Sequence, residues 1–255
     1  MPPADAARSG LPARLLADGL VGAGLLAWWL TSLGLPAFVL PSPWVVGTTL
    51  ARLFLDPAFL GHTLASAARV VLSVVLATAI GLALALLAER VPALADAVHR
   101  RLLPVLNSFP SVGWAILAVI WFQVSTLSVV FVQVMILIPF CLINMAQGLR
   151  ELARELLEMA RSFGRGRVRL LVRVVIPLLM PYTLAAVRIA YGIGWKIALV
   201  SELFGADSGL GYLMLRAQTV SDAAMVFATC FAIVLIFSLG ERLVIDPLAR
   251  RVPSH

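Results

Sequence analysis

Four ionisable side chains lie inside segments of the chain that are otherwise apolar. Arg69 is in "SAARVVLSVVL", Arg188 and Lys196 are in "AAVRIAYGIGWKIALV", and Glu202 follows in "SELFG". A charge at the centre of a bilayer costs about 2.5–3.5 kcal/mol on insertion scales, so such residues are candidates for function. On a helix of about 100° per residue, Arg188 and Lys196 differ by about 80° and can face one cavity, whereas Glu202 points away from Lys196. The two cations therefore fit an anion pathway, or they pair with neighbouring helices or extend to the interface.

Long apolar segments make up most of the chain. Of its 255 residues, 61% are hydrophobic, against roughly 45–50% in soluble domains. A helix of about 20 residues crosses a ~30 Å hydrocarbon core. The pattern predicts an all-α membrane protein with six transmembrane helices, at about 15–35, 62–88, 102–122, 127–147, 176–204 and 223–244. The first segment follows two arginines as a signal peptide would, but no small-residue cleavage site ends it, so it is predicted to be retained.

Basic residues indicate the orientation, because arginines in short loops stay on the cytoplasmic side. With the N-terminus inside, fifteen of the twenty basic residues fall in cytoplasmic segments, and only Arg52 and Arg216 fall in outer ones. Both termini are therefore predicted to be cytoplasmic. The excess of arginine is also typical of nucleic-acid binding, but too little of the chain is polar to form a soluble binding face.

The segments between the spans also have recognisable character. "PSPWVVGTTLARLFLDP" is too short to cross and predicts an amphipathic helix at the interface, with Trp44 as its anchor. The glycine-rich "GADSGLGYLMLRAQTVSD" predicts a structured outer loop, in part re-entrant. The predicted regions are a cytoplasmic tail at 1–14, the first transmembrane helix at 15–35, an outer loop with the interfacial helix at 36–61, a transmembrane core at 62–250 that includes a cytoplasmic loop at 148–175 and an outer loop at 205–222, and a cytoplasmic tail at 251–255.

The densest charge lies in the cytoplasmic loop, in "LRELARELLEMARSF". Its apolar residues recur every three or four positions with charged residues between them, which is the spacing of an amphipathic helix. Gly164 and Gly166 then interrupt the helix, since glycine supplies the positive φ that ends helices. One interpretation is a loop that its arginines hold inside the cell. The other is a docking helix, because retention requires neither the glutamates nor the glycine break.

The order of residues in this loop resembles the cytoplasmic signature of ABC-importer permeases: E-A-A, three residues, G, nine residues, I-x-L-P. The matching positions are Glu158, Met159 and Ala160, then Gly164, then Val174, Ile176 and Pro177. Three of them depart from the pattern but remain apolar. "LPSPWVVGTTL", "NSFPSVGWAILAVIWF" and "SELFGADSGLGYLM" are similar to the nitrate, sulfonate and taurine branch of that family, so the resemblance runs from about 40 to 250.

The resemblance implies a type I importer permease fold in a bacterial inner membrane. Two permease copies, expected as a homodimer, would form the pathway. Two cytosolic ATPases would power it, and a periplasmic binding protein would deliver the solute. It also implies that the signature helix sits in a cleft of the ATPase, where it acts as a rigid lever. The implied coupling residues are Glu155, Glu158, Met159, Ala160, Ser162, Phe163, Gly164, Arg165 and Pro177.

The same resemblance assigns roles on the outer side. Arg69 matches the family's arginine at the start of the second span, and Glu202 stands where the family carries a glutamate before its G-A-x-x-G-L-G-Y loop. Together with Arg188 and Lys196, these residues are candidates for the translocation pathway or a gate. The predicted loop positions are Gly205, Gly209, Gly211 and Tyr212.

Several other functions fit the sequence poorly. A P-loop requires G-K-[ST], and the single lysine lies in "GIGWKIA", so ATP and magnesium are expected on the partner ATPase and no cofactor on this chain. The histidines are scattered and H-E-x-x-H is absent, which disfavours an intramembrane enzyme or a metal site. A passive channel or scaffold would leave the signature unexplained. The cationic span favours a small anionic solute, with thiamine or flavin precursors as the alternative.

Overall fold

The computed structural model describes residues 10–151 and 176–251. Residues 1–9 and 252–255, which belong to the predicted tails, lie outside this part of the chain. Residues 152–175 also lie outside it, and they contain every predicted coupling residue except Pro177.

The described residues form helices joined by short turns, and they contain no strand. The first stretch holds α1 (Gly10–Leu33), α2 (Pro43–Leu55), α3 (Pro57–Arg90), α4 (Pro92–Asp96), α5 (Leu103–Ser108), α6 (Ser111–Phe122) and α7 (Thr126–Glu151). The second holds α8 (Ile176–Leu178), α9 (Met180–Gly205), α10 (Leu210–Thr219), α11 (Ala223–Gly240) and α12 (Asp246–Arg251). π-Helical turns at Ala97–Leu102 and Glu241–Ile245 join α4 to α5 and α11 to α12. The all-helical prediction is confirmed for this part of the chain.

Four helices are long and apolar enough to cross a membrane: Pro57–Arg90, Thr126–Glu151, Met180–Gly205 and Ala223–Arg250. A fifth span is possible if Ala93–Ser108 and Ser111–Phe122 count as one. The first predicted span forms the 24-residue helix α1, which is not among the four. Six spans are therefore not confirmed.

The third predicted span, 102–122, is broken rather than continuous. The helices before and after the break are bent by 89°. Phe109 and Pro110 are both extended at the break, with ψ of 125° and 138°. A residue before proline is pushed out of the helical region by the proline ring, so the apolar run continues through the break but the helix does not.

The core is built where α3, α7 and α9 pack against one another. Gly81 on α3 approaches α7 so closely that a Cβ there would lie 2.7 Å from Cβ of Cys141. On α9, Ala186, Ala190 and Ala198 are buried within the chain. Since these residues recur at multiples of four, they lie on one face of the helix, and small side chains there allow close helix approach.

The predicted interfacial helix is α2. Ser42 caps it by accepting a hydrogen bond from the backbone N–H of Val45, and Pro43 occupies its first turn, where proline is tolerated. Trp44 is exposed, whereas Val46 and Leu53 are buried where α2 packs on α3 and α11. The helix is therefore amphipathic, as predicted.

Candidate functional site

A buried ion pair joins the N-terminal half of α3 to the C-terminal end of α9, on the side that the sequence predicts to be the outer one. Nη1 of Arg69 lies 3.0 Å from Oε1 of Glu202, and the two side chains are 4% and 1% exposed. Arg69 does not extend to the interface, which was one alternative from the sequence. A buried ion pair is stable only when its remaining donors and acceptors are also satisfied.

The Glu202 carboxylate also accepts hydrogen bonds from two neutral donors, a hydroxyl shared between its two oxygens and a backbone N–H. Oγ of Ser66 lies 2.9 and 2.7 Å from the two carboxylate oxygens, and the backbone N–H of Gly211 donates to Oε2 at 2.9 Å. Ser66 also accepts from the backbone N–H of Leu210 at 2.8 Å. The carboxylate therefore holds the first turn of α10 against α3.

The Arg69 guanidinium binds the loop between α9 and α10 and the start of α7. Nη1 donates to the carbonyl of Ser208 at 2.6 Å, and Nη2 donates to Oγ of Ser208 at 2.7 Å and to Oγ1 of Thr126 at 3.0 Å. Charge-assisted hydrogen bonds of this kind are the strong ones. One side chain thus connects three helices and the outer loop, and we call Ser66, Arg69, Thr126, Glu202 and Ser208 the outer polar cluster.

Two predicted loop glycines are required by this geometry. Gly209 has a φ of 113°, which L side chains rarely adopt, and a Cβ there would overlap the Glu202 carboxylate. A Cβ on Gly211 would lie 2.6 Å from the carbonyl oxygen of Leu199. Gly205, also predicted, ends α9 and accepts a hydrogen bond from the N–H of Ser125 at 3.0 Å.

A histidine supports the same loop. Nδ1 of His62 accepts a hydrogen bond from the backbone N–H of Gly209 at 3.0 Å. The imidazole stacks on the ring of Tyr212, with centroids 5.7 Å apart, and the guanidinium of Arg216 lies 5.5 Å from the same ring. Tyr212, the last predicted loop residue, therefore contacts both side chains.

Arg188 and Lys196 line one cavity, as the helical spacing predicted. It has a volume of about 580 Å³ and lies between α9 and α11. Its other walls are mainly apolar and include Ile193, Ile233 and Phe237. The outer polar cluster does not contribute to this cavity, so the four predicted intramembrane charges form two separate groups.

The two cations in the cavity differ in their partners. Nη2 of Arg188 lies 2.7 Å from Oε1 of Glu241 and 3.3 Å from Oδ1 of Asp246. Both carboxylates follow the end of α11. Among the described residues, Lys196 forms no salt bridge.

A second polar contact, which we call the inner contact because it lies on the predicted cytoplasmic side, joins the C-terminal end of α7 to the N-terminal end of α9. The hydroxyl of Tyr182 donates to Oε2 of Glu151, and Nε2 of Gln147 donates to Oε1 at 2.9 Å. The ring of Tyr182 covers Gly148, where any Cβ would overlap it. Pro177 lies in the short helix α8. The two residues of the contact, Glu151 and Tyr182, therefore come before and after residues 152–175 in the chain.

The sequence identified the charged residues but not the side chains that bind them. Ser66, Thr126 and Ser208 resemble ordinary polar residues in sequence, although Ser66 precedes Arg69 by three positions and so shares its helix face. Glu241 and Asp246, the partners of Arg188, are not among the residues that the sequence singles out. Within 10–151 and 176–251, no group of three or more His, Cys, Asp or Glu side chains could hold a metal ion.

Four helices that are long and apolar enough to cross a membrane, two of which are joined by a buried ion pair, are those of a multi-pass membrane protein. Residues 77–244 match the model of the family described as binding-protein-dependent transport system inner membrane component. The chain belongs to this family, as the resemblance implied.

Relatives of the sulfonate and taurine type support the family branch. The aliphatic sulfonates transport permease protein SsuC of Escherichia coli (strain K12) is 31% identical over 137 residues, which cover 54% of this chain and 51% of that protein. SsuC of Bacillus subtilis (strain 168) is 28% identical over 231 residues, covering 88% and 82%. The taurine transport system permease protein TauC of Escherichia coli (strain K12) is 27% identical over 252 residues, covering 94% and 90%.

A solved structure has the same fold. The chain from the inward-facing conformations of the MetNI methionine ABC transporter aligns with a TM-score of 0.62 at 14% identity, covering 84% of this chain and 99% of that one. At this identity the similarity concerns the fold alone. The fold is therefore that of an ABC-importer permease.

Proposed function

We propose that this chain is the membrane subunit of an ATP-driven, binding-protein-dependent importer that carries a small anionic solute into the cytoplasm. The observation that carries the proposal is the family match over residues 77–244. In the proposed assembly two copies form the pathway, two cytosolic ATPases bind ATP and magnesium, and a periplasmic binding protein delivers the solute. The chain crosses a bacterial inner membrane six times, with both termini in the cytoplasm.

The inner contact between α7 and α9 supports the coupling role of the signature segment. Helix α7 ends at Glu151 and α8 begins at Ile176, on either side of the predicted signature segment. The Tyr182 to Glu151 hydrogen bond ties these two ends together. A force applied to the segment by an ATPase would then reach α7 and α9 jointly, and both helices belong to the packed core.

The outer polar cluster supports a gating role at the opposite end. It connects α3, α7 and α9 to the outer loop through charged hydrogen bonds. A loop held to three core helices can change position only when those helices move, because its polar groups would otherwise be left buried without partners. We assign the outer loop, with Gly205, Gly209, Gly211 and Tyr212, to the surface that responds to the binding protein.

The charge of the cavity and the names of the relatives together favour a small anionic solute. Lys196 places in a cavity between spans a cation that forms no salt bridge with the described residues, and relatives are named for aliphatic sulfonates and taurine. A thiamine or flavin precursor is the second candidate within the same importer class. A passive channel or scaffold would give the signature segment no partner.

Substrate-stimulated ATP hydrolysis in reconstituted vesicles tests the coupling proposal. The vesicles contain this chain, a cognate ABC ATPase and the binding protein with its ligand. Glu158→Lys, or Gly164→Leu, should abolish stimulation while leaving membrane insertion intact, because each alters the predicted docking segment. Glu89→Lys, a charge reversal near the inner end of α3, is the matched control and should keep stimulation. Stimulation unchanged in both segment variants would overturn the coupling role.

A further inference from the structure

The cavity between α9 and α11 has an uneven charge distribution. At its Arg188 end, one guanidinium faces the carboxylates of Glu241 and Asp246, so the local formal charge is negative by one. At its other end, Lys196 forms no salt bridge with the described residues. The two positions are eight residues apart on α9, which is about 12 Å along the axis. An anion is therefore attracted to the Lys196 end and repelled from the Arg188 end.

The walls beside Lys196 are apolar. Ile193 lies on the same helix, and Ile233, Val234 and Phe237 face it from α11. A volume of about 580 Å³ falls in the range of roughly 300–1,000 Å³ that is typical of small-molecule sites. A fully hydrated inorganic ion gains nothing from such walls, whereas an alkyl group is stabilised there by about 0.8 kcal/mol for each buried CH₂.

The single unpaired cation and the apolar walls together restrict both the charge of the ligand and its apolar content. A dianion would meet one uncompensated cation and carry a surplus charge into an apolar space, which is costly. A neutral molecule would leave the Lys196 ammonium without a counter-charge. A monoanion with a short apolar part satisfies both the ammonium and the walls.

We propose that Lys196 binds the negative head of an organic monoanion whose apolar part packs on Phe237 and the α11 side of the cavity, and that Arg188 does not bind it. Arg188 instead anchors α9 to the end of α11 through Glu241 and Asp246. The assignment rests on the proposed transport function, because it places the solute within the membrane subunit. It separates two cations that helical spacing alone places together.

Direct ligand binding tests this site without requiring transport. The full chain is reconstituted in zwitterionic lipid nanodiscs, and binding of butane-1-sulfonate, methanesulfonate and sulfate is measured by titration calorimetry. Butane-1-sulfonate should bind more tightly than methanesulfonate, by up to about fourfold for each added methylene, and sulfate should bind most weakly. Equal affinity for the three anions would overturn the proposal.

Variants separate the roles of the two cations. Lys196→Met should weaken butane-1-sulfonate binding at least about tenfold, since a hydrogen bond to a charged group is lost, while Lys196→Arg should retain most of it. Phe237→Ala should reduce the gain from chain length but not methanesulfonate binding. Binding unchanged in Lys196→Met, or lost equally in Lys196→Arg, would overturn the site.

An anionic lipid is the other occupant to test. Phosphatidylglycerol in the nanodisc should leave butane-1-sulfonate affinity unchanged; a tenfold loss would indicate that a lipid headgroup binds Lys196 and would overturn the proposal.

ATP hydrolysis separates the binding site from the importer proposal. It is measured in parallel for the complex with its ATPase, with and without Lys196→Met. If butane-1-sulfonate binds as predicted but no ATPase is stimulated, the binding site stands and the importer proposal fails.

Discussion

The Arg69 guanidinium and the Glu202 carboxylate lie 3.0 Å apart although they are 133 positions apart in the chain. Each is almost fully buried, and each makes additional hydrogen bonds to a neutral group on another element. The pair therefore connects the second predicted span to the fifth and to the outer loop.

Removing one member of the ion pair should destabilise the protein strongly. Arg69→Met leaves the buried Glu202 carboxylate without its cation, and Glu202→Gln leaves the buried Arg69 guanidinium without its anion. Either loss costs about 3–5 kcal/mol and should lower the Tm in detergent by roughly 6–20 °C. The double variant should cost less than the sum of the two. Arg52→Met, which removes an exposed outer arginine, is the control and should change the Tm little. Additive losses would contradict the pairing.

A methyl group at Gly209 or Gly211 should displace the outer loop. Gly209→Ala adds both strain at a φ of 113° and overlap with Glu202, and Gly211→Ala overlaps the Leu199 carbonyl. Both should lower the Tm and increase labelling of a cysteine introduced by Ala206→Cys, at a buried loop position, in a Cys141→Ala, Cys230→Ala background. Gly47→Ala is the matched control, because nothing lies within 4 Å of a Cβ there. Equal labelling in all three would exclude tight loop packing.

The histidine that supports the loop should be replaceable by a side chain with the same acceptor. His62→Ala leaves the N–H of Gly209 without its partner, which costs roughly 1–3 kcal/mol if that N–H stays buried. His62→Asn offers a carbonyl oxygen at a similar distance from the backbone and should retain part of the stability. Thermal unfolding of the two variants compares them directly. An Asn variant as unstable as the Ala variant would indicate that stacking on Tyr212, not the hydrogen bond, is the main contribution.

The inner contact should matter for coupling more than for folding. Tyr182→Phe removes only the hydroxyl that donates to Glu151, and the ring still covers Gly148. Because Glu151 is exposed, the change in Tm should be small, while ligand-stimulated ATP hydrolysis should fall several-fold. Gln147→Ala, which removes the other hydrogen bond to Glu151, is the comparison. Stimulation at the wild-type level in Tyr182→Phe would show that the two ends of residues 152–175 need not be tied together.

The family and most of the long helices could be predicted from the sequence, but the break in the third predicted span and the partners of the charged residues could not. Hydropathy located the long helices, and the periodicity of α2 indicated its amphipathic character. Apolarity says nothing about direction, however, so the 89° bend at Phe109 and Pro110 was hidden inside one apolar run. The proline was the available signal, because it restricts the residue that precedes it.

The same limit applies to the charged residues. Helical spacing placed Arg188 and Lys196 at one cavity, and Arg69 and Glu202 were each recognised as candidates. Spacing along one helix cannot identify a partner on another, so neither the Arg69 to Glu202 pair nor the Arg188 to Glu241 pair could be predicted. Ser66, Thr126 and Ser208 acquire their roles only from the packing of α3, α7 and the outer loop.

ATP-dependent accumulation of a labelled solute tests the central claim most directly. Vesicles contain this chain with a cognate ABC ATPase, and the binding protein is added with its radiolabelled ligand. The account predicts that the internal concentration rises above the external one only when ATP, magnesium and the binding protein are all present. Entry that stops at equal concentrations and proceeds without ATP would contradict it and would identify a passive channel.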